Sequence, residues 1–296
     1  MTKTGNAYVW DLESGRIAKE LRHRTPYSEH CKEFGQFSPT VEISKDGRYV
    51  LTAGIDNLSI LWDVQSAEQV RHFQHDYCVS SAALSGDSKR VVTGGLNDGV
   101  VLWDVESGKR IAELEPSHEI VTFSPDGRHI LASKSARDNS FHPLQLLDAQ
   151  TLKREMKYVG KPQYYAAFSD DGKAFITSSH VWDVATGRVR FALENDFKYF
   201  TPVVNAISSD GCRIASACSN AVRIWDGNTG TLRAELPARI VITFSSAFSP
   251  NGVRLAAEAD GYVGIWRRRR PEYWWGLAWL EATLRLYRDP DLATNE

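Results

Sequence analysis

LWDVESGK, residues 102–109, is the stretch on which the fold turns: two apolar or aromatic positions, an aspartate, then a Ser-Gly turn. Outward from it, the same phrase recurs as VWDLESGR at 9–16, LWDVQSAE at 61–68, VWDVATGR at 181–188 and IWDGNTGT at 224–231. IWRRRR at 265–270 keeps the tryptophan but loses the turn, and LLDAQTLK at 146–153 has Leu147 in its place. Between the copies runs a second phrase: ISKDGR, LSGDSK, FSPDGR, FSDDGK, ISSDGC and FSPNGV. Its serines are Ser44, Ser85, Ser124, Ser169, Ser208 and Ser249, spaced by 41, 39, 45, 39 and 41 residues. Two interleaved turn signals at a period near 40 define a chain of repeats.

Each phrase has a physical reading. In FSPDGR, proline presets the first turn dihedral and Asp-Gly supplies a residue that tolerates positive φ, which closes a tight β-hairpin. The segments beyond it, such as RYVLTAG, RVVTGG and RIASAC, are short, β-rich and built of small residues. After each Trp-Asp turn comes an alternating strand, for example RIAKEL at 16–21 or RVRFAL at 188–193, with one face to pack and one for water. The unit is a four-stranded antiparallel meander. It cannot bury both faces of its sheet alone, so neighbouring units must stack.

These residues resemble the WD40-repeat family, over residues 1 to about 268. The resemblance implies an all-β fold, a WD40-type β-propeller of antiparallel four-stranded blades occupying residues 1–268, followed by a basic and aromatic tail at 269–296. It also implies hydrogen-bonded sets of Trp, Ser or Thr, His and Asp inside blades. Blade three matches best, with His75, Thr93 and Trp103, although Asn97 stands where the aspartate is expected. Asp56 and Asp260 occupy the matching turn in blades two and seven. The family's Gly-His pair is otherwise poorly kept, so complete sets are not expected in most blades.

The repeat is irregular in informative places. Blade four carries an insertion within SARDNSFHP (135–143), blade five has lost a similar length, and the link at 22–40 is long. The chain has seven third strands but six hairpins. We therefore expect seven blade positions with an incomplete first blade; the alternative is six closed blades with RIAKEL completing the last. A mid-blade start also admits a C-terminal fragment of a larger scaffold or sensor protein. In the tail, Pro271 and Glu272 suit a helix start, and YWWGLAWLEATLRLY (273–287) is apolar over most of a helical circumference. A helix over 272–288 is expected, packed on the propeller, on a partner, or in peripheral contact with a membrane surface through 273–287.

Composition narrows the function. A formal charge of −2, from 35 Lys+Arg against 37 Asp+Glu, leaves no excess of positive charge for nucleic acid. The four cysteines are no disulfide framework and no secretory leader is visible, which makes a cytoplasmic setting the expectation. The motifs of metal, nucleophile-elbow and phosphate-loop chemistry are missing, so no metal, cofactor or catalytic residue is assigned. The reading is a non-catalytic scaffold that holds a protein or peptide on its propeller loops; an enzyme with a central-channel site is the rival. Aromatic and arginine anchors dominate interfaces, which points to Arg24, Tyr27, Phe34, Tyr77, Phe141, His142, Tyr164, Tyr165, Tyr199 and Phe200.

Overall fold

The computed structural model describes residues 6–11, 14, 16–23, 40–54, 56–95, 99–114, 120–133, 144–158, 166–177, 180–193, 203–218, 221–237, 246–259, 262–268 and 279–282. Among these the regular elements are all strands. The chain divides into two compact units, Met1–Ala166 and Ala167–Glu296.

In the first unit β1 (Asn6–Asp11) and β2 (Arg16–Arg22) form a two-stranded sheet. A four-stranded meander follows, of β3 (Thr40–Ile43), β4 (Tyr49–Ala53), β5 (Leu58–Asp63) and β6 (Gln69–Gln74). The next comprises β7 (Val79–Leu84), β8 (Arg90–Gly95), β9 (Gly99–Asp104) and β10 (Arg110–Leu114). The last comprises β11 (Ile120–Phe123), β12 (His129–Ser133), β13 (Leu144–Asp148) and β14 (Arg154–Tyr158). The second unit has three such sheets. Its first runs from β15 (Ala166–Phe168) through β16 (Ala174–Thr177) and β17 (His180–Asp183) to β18 (Val189–Ala192). Its second holds β19 (Val203–Ile207), β20 (Arg213–Cys218), β21 (Ala221–Asp226) and β22 (Leu232–Pro237). Its third holds β23 (Ser246–Phe248), β24 (Arg254–Ala259), β25 (Tyr262–Arg268) and β26 (Trp279–Ala282).

Trp10 lies on β1 and β2 is its outer partner, so the first blade position holds a third and a fourth strand. The alternative of six blades closed by RIAKEL is excluded, because β2 pairs with β1 and β26 takes the outer edge of β25. Blade five has the shortened third strand expected of it, four residues in β17 against six in β9.

The tail needs a correction. Residues 279–282, expected inside a helix over 272–288, form β26, in register Ile265↔Ala282 to Arg268↔Trp279. Strand β25 offers a row of edge hydrogen-bonding groups, and pairing with that edge overrides helical periodicity. The remainder of the expected helix, and most of the segment proposed for membrane contact, lies outside the described residues. No helix among the described residues is long and apolar enough to cross a membrane. Cys78 stands in a disulfide, while Cys212 is free and exposed. Spacing along the chain says little about cysteines that the fold brings together.

The core lies between successive sheets. Leu51, Ala53, Leu61 and Phe73 pack against Val79, Ala82, Leu84, Val91 and Trp103 of the next sheet. Ala83, Val92, Val100 and Leu102 then meet Val121, Phe123, Ile130 and Leu147. Alternate residues of each strand serve opposite seams, which is why the second strands carry unbroken apolar runs rather than a polar face. In the second unit Ala206, Ala215, Val222 and Ile224 pack on Leu255, Ala257 and Trp266.

Candidate functional site

The hairpin phrase is a hydrogen-bonded clamp. Ser124 Oγ donates to Asp126 Oδ1 at 2.5 Å and accepts from His129 N at 2.9 Å. Gly127 takes φ +67° and its N–H donates to Ser124 O. The same three bonds recur at Ser44, Ser85, Ser169 and Ser208, and Asn251 replaces the aspartate beside Ser249. The Trp-Asp phrase is a second clamp. Asp104 Oδ1 accepts from Ser107 N and Oγ, as Asp63, Asp148, Asp183 and Asp226 do from the turn residues after them. Both phrases are thus consumed in building turns.

These bonds set the charge of the turns. The Arg190 guanidinium reaches Asp183 Oδ2 at 2.7 Å and, with the Thr186 bonds, brings the Asp183 pKa down to about 2. At Asp226 partial burial pushes upward, but Arg233 at 2.7 Å and the N–H groups of Asn228 and Thr229 outweigh it, again leaving about 2.

The tryptophans face inward. Trp62, Trp103 and Trp182 Nε1 donate to Thr52, Thr93 and Thr177 Oγ1 at 2.8, 2.8 and 3.0 Å, and Trp225 donates to Ser216 Oγ at 2.8 Å. Blade two brings four such residues together: His23, Thr52, Asp56 and Trp62. There His23 Nδ1 is 2.9 Å from Thr52 Oγ1, and His23 Nε2 is 2.8 Å from Asp56 Oδ2. In blade three His75 packs edge-on to Trp103 at 5.3 Å, and Asn97 lies outside the described residues. All of this is buried and serves the blade.

One titratable group faces a seam. Glu42, on β3, sends its carboxyl toward β7, where Oε2 accepts from Leu84 N at 3.2 Å. Part of the side chain reaches solvent, yet burial of the carboxyl pushes its pKa up to about 8, against the downward pull of the Leu84 N–H. On the same strands Thr40 donates to Ser80 O and Ser81 to Val121 O. Among the described residues no group of histidines, cysteines or carboxylates is arranged to hold a metal ion.

Of the ten sequence-derived anchors, Tyr77 is described. It stands in the link between β6 and β7, exposed at 37%. Arg24, Tyr27, Phe34, Phe141, His142, Tyr164, Tyr165, Tyr199 and Phe200 lie outside the described residues. Sequence reasoning passed over His23 and Glu42. For Glu42 the available signal was a lone carboxylate in the apolar strand TVEI.

A family model described as "WD domain, G-beta repeat" matches residues 67–104 and 198–226. No curated protein matches the chain. Among solved structures, the chain is similar to Kuenenia stuttgartiensis hydrazine synthase, with a TM-score of 0.73, 14% identity and 89% of each chain covered. It is also similar to the β-propeller domain of Myceliophteria thermophila Cps50 (Swd1), with a TM-score of 0.72, 18% identity, and coverage of 90% of this chain and 91% of that one. At these identities the likeness speaks to the fold.

Proposed function

From a chain that is a WD40-repeat β-propeller, we propose a non-catalytic scaffold that holds a protein or peptide partner on the loops joining its blades. The observation that carries this reading is Tyr77. It is a large aromatic side chain, about a third exposed, on the short link between β6 and β7. Two residues before it, His75 is buried against Trp103, which fixes the base of that link. An exposed aromatic on a rigid base loses little freedom on binding, the quality that interface anchors share. Arg24, Tyr27, Phe34, Phe141, His142, Tyr164, Tyr165, Tyr199 and Phe200 complete the proposed anchor set.

The enzymatic reading has Glu42 behind it, a carboxyl kept protonated at neutral pH, and the hydrazine synthase among the structural neighbours. General acid–base work calls for a proton-exchanging partner or a reacting group within reach. The hydrogen bond at Glu42 comes instead from the backbone of Leu84, which favours a packing role.

The test is crosslinking capture from source lysate with the full chain and its Tyr77→Ala form. Once a partner is identified, titration should show at least a fivefold loss of affinity for Tyr77→Ala, about 1 kcal/mol. Equal affinity for that partner across Tyr77→Ala and alanine at three or more of the other anchors would remove the loop reading.

A further inference from the structure

Five of the six hairpins carry an aspartate two residues after the clamp serine; the hairpin of β23 and β24 carries Asn251, followed by Gly252. This is the one Asn-Gly pair in the sequence. Asn251 is exposed, and its Oδ1 accepts from Ser249 Oγ at 2.8 Å and from Val253 N at 3.1 Å. The preceding hairpin shows what the amide replaces. There Asp210 Oδ1 holds the same two bonds, from Ser208 Oγ and Cys212 N, and Oδ2 pairs with the Arg213 guanidinium at 2.8 Å. Arg254 stands at the same interval after Asn251, with its N–H on Ser249 Oγ. Its side chain is exposed, and the guanidinium has no hydrogen-bond or ion-pair partner among the described residues. An amide offers its nitrogen where Asp210 offers a second oxygen, and that nitrogen is a donor that cannot accept from arginine.

We propose that Asn251–Gly252 is a modification site, at which the side-chain amide is hydrolysed to aspartate and the clamp and ion pair of this hairpin are thereby completed. The step needs water alone as co-reactant and changes no oxidation state. Gly252 N attacks Asn251 Cγ; the bond from Cγ to the amide nitrogen breaks, and that nitrogen takes the Gly252 proton and leaves as ammonia. Water then adds at Cγ of the cyclic imide and breaks the new bond to Gly252 N, which regains its proton and leaves a carboxyl on residue 251. The exposure of Asn251 admits that water.

The turn favours the attack in two respects. The two donors on Oδ1 stand where negative charge develops as Gly252 N adds to Cγ, the placement that stabilises an oxyanion. Glycine also presents no side chain beside the attacking nitrogen. Against these, Gly252 N–H donates to Ser249 O at 2.7 Å, and this bond must open before the nitrogen can attack.

The full chain, held in mildly alkaline buffer and digested with trypsin at intervals, provides the test. Asn251 falls in the peptide 240–254, IVITFSSAFSPNGVR, as its one amide side chain, and Asn228 does so in 224–233, IWDGNTGTLR, where Thr229 follows it. By mass spectrometry the first peptide should gain the unit mass of amide-to-acid exchange at least fivefold faster than the second, and should co-elute with a synthetic aspartate standard. Asn251→Asp, the product made directly, should show no such gain and should melt about 2 °C above the wild type at neutral pH. Arg254→Gln in that background should remove most of the rise, a coupling that an isolated turn substitution would not produce. An amide that persists in the folded chain while the free peptide converts would overturn the modification. Isoaspartate as the main product would do the same, because it lengthens the backbone inside the turn. Equal melting of Asn251→Asp and wild type would overturn the completed clamp.

Discussion

At Thr52 one hydroxyl serves two buried partners, accepting from Trp62 Nε1 and meeting His23 Nδ1, whereas Thr177 serves Trp182 with no such histidine beside it among the described bonds. The difference sets a graded prediction. Thr52→Val keeps the shape but orphans an indole N–H and an imidazole nitrogen inside the blade, a loss of about 2–4 kcal/mol. Thr177→Val orphans the indole alone, about 1–2 kcal/mol. Urea midpoints followed by tryptophan fluorescence would check the order, and equal losses would mean that His23 contributes nothing. The tryptophans, threonines and aspartates of this network were legible from the repeat. His23 was not, because it lies 29 residues before Thr52, ahead of a link whose length breaks the period and hides the alignment.

At the scale of elements, the hairpins show what a turn demands and what it tolerates. Gly47 has φ +72° and open space where a Cβ would stand, so Gly47→Ala should cost only the left-handed backbone, about 1–2 kcal/mol. Blade three already carries Ser88 in that conformation. Gly227 is the opposite case. Its backbone lies against the hairpin at Gly211, and a Cβ there would come to 1.9 Å from Gly211 O. Gly227→Ala must force two turns apart and break the Gly227 N–H bond to Cys212 O, so a loss above about 4 kcal/mol is expected, in the exceptional class for a single methyl. Thermal melting of the two variants side by side decides the matter; similar melting points would refute the tight contact. Sequence spacing foretold the turns, the strand order and the shortened β17, because each depends on residues next to one another. It misplaced Trp279–Ala282, because whether WLEA becomes helix or strand depends on an open edge of β25 that no local pattern reports.

For the molecule as a whole, the groups whose pKa is displaced divide into two sets with opposite pH dependence. Ten turn aspartates, Asp46, Asp63, Asp87, Asp104, Asp126, Asp148, Asp171, Asp183, Asp210 and Asp226, are held below their ordinary range. Their folded pKa values lie under the unfolded ones, so the stability they contribute is present above the ordinary aspartate range and is lost as pH falls through it. Glu42 runs the other way. Its folded pKa is near 8 against 4.5 for the free side chain. Between those values the folded protein holds a proton that the unfolded chain has released, so stability falls as pH rises from about 4.5 to 8. Glutamine reproduces the shape of protonated glutamate and can still accept from Leu84 N–H. We therefore expect Glu42→Gln to melt with the wild type near pH 5 and several degrees above it at pH 8.5, while the acid limb set by the aspartates stays in place. Parallel melting curves for the two proteins across pH 5 to 8.5 would show that the carboxyl ionises as an ordinary glutamate, and the β3–β7 seam would then have to admit water up to Leu84.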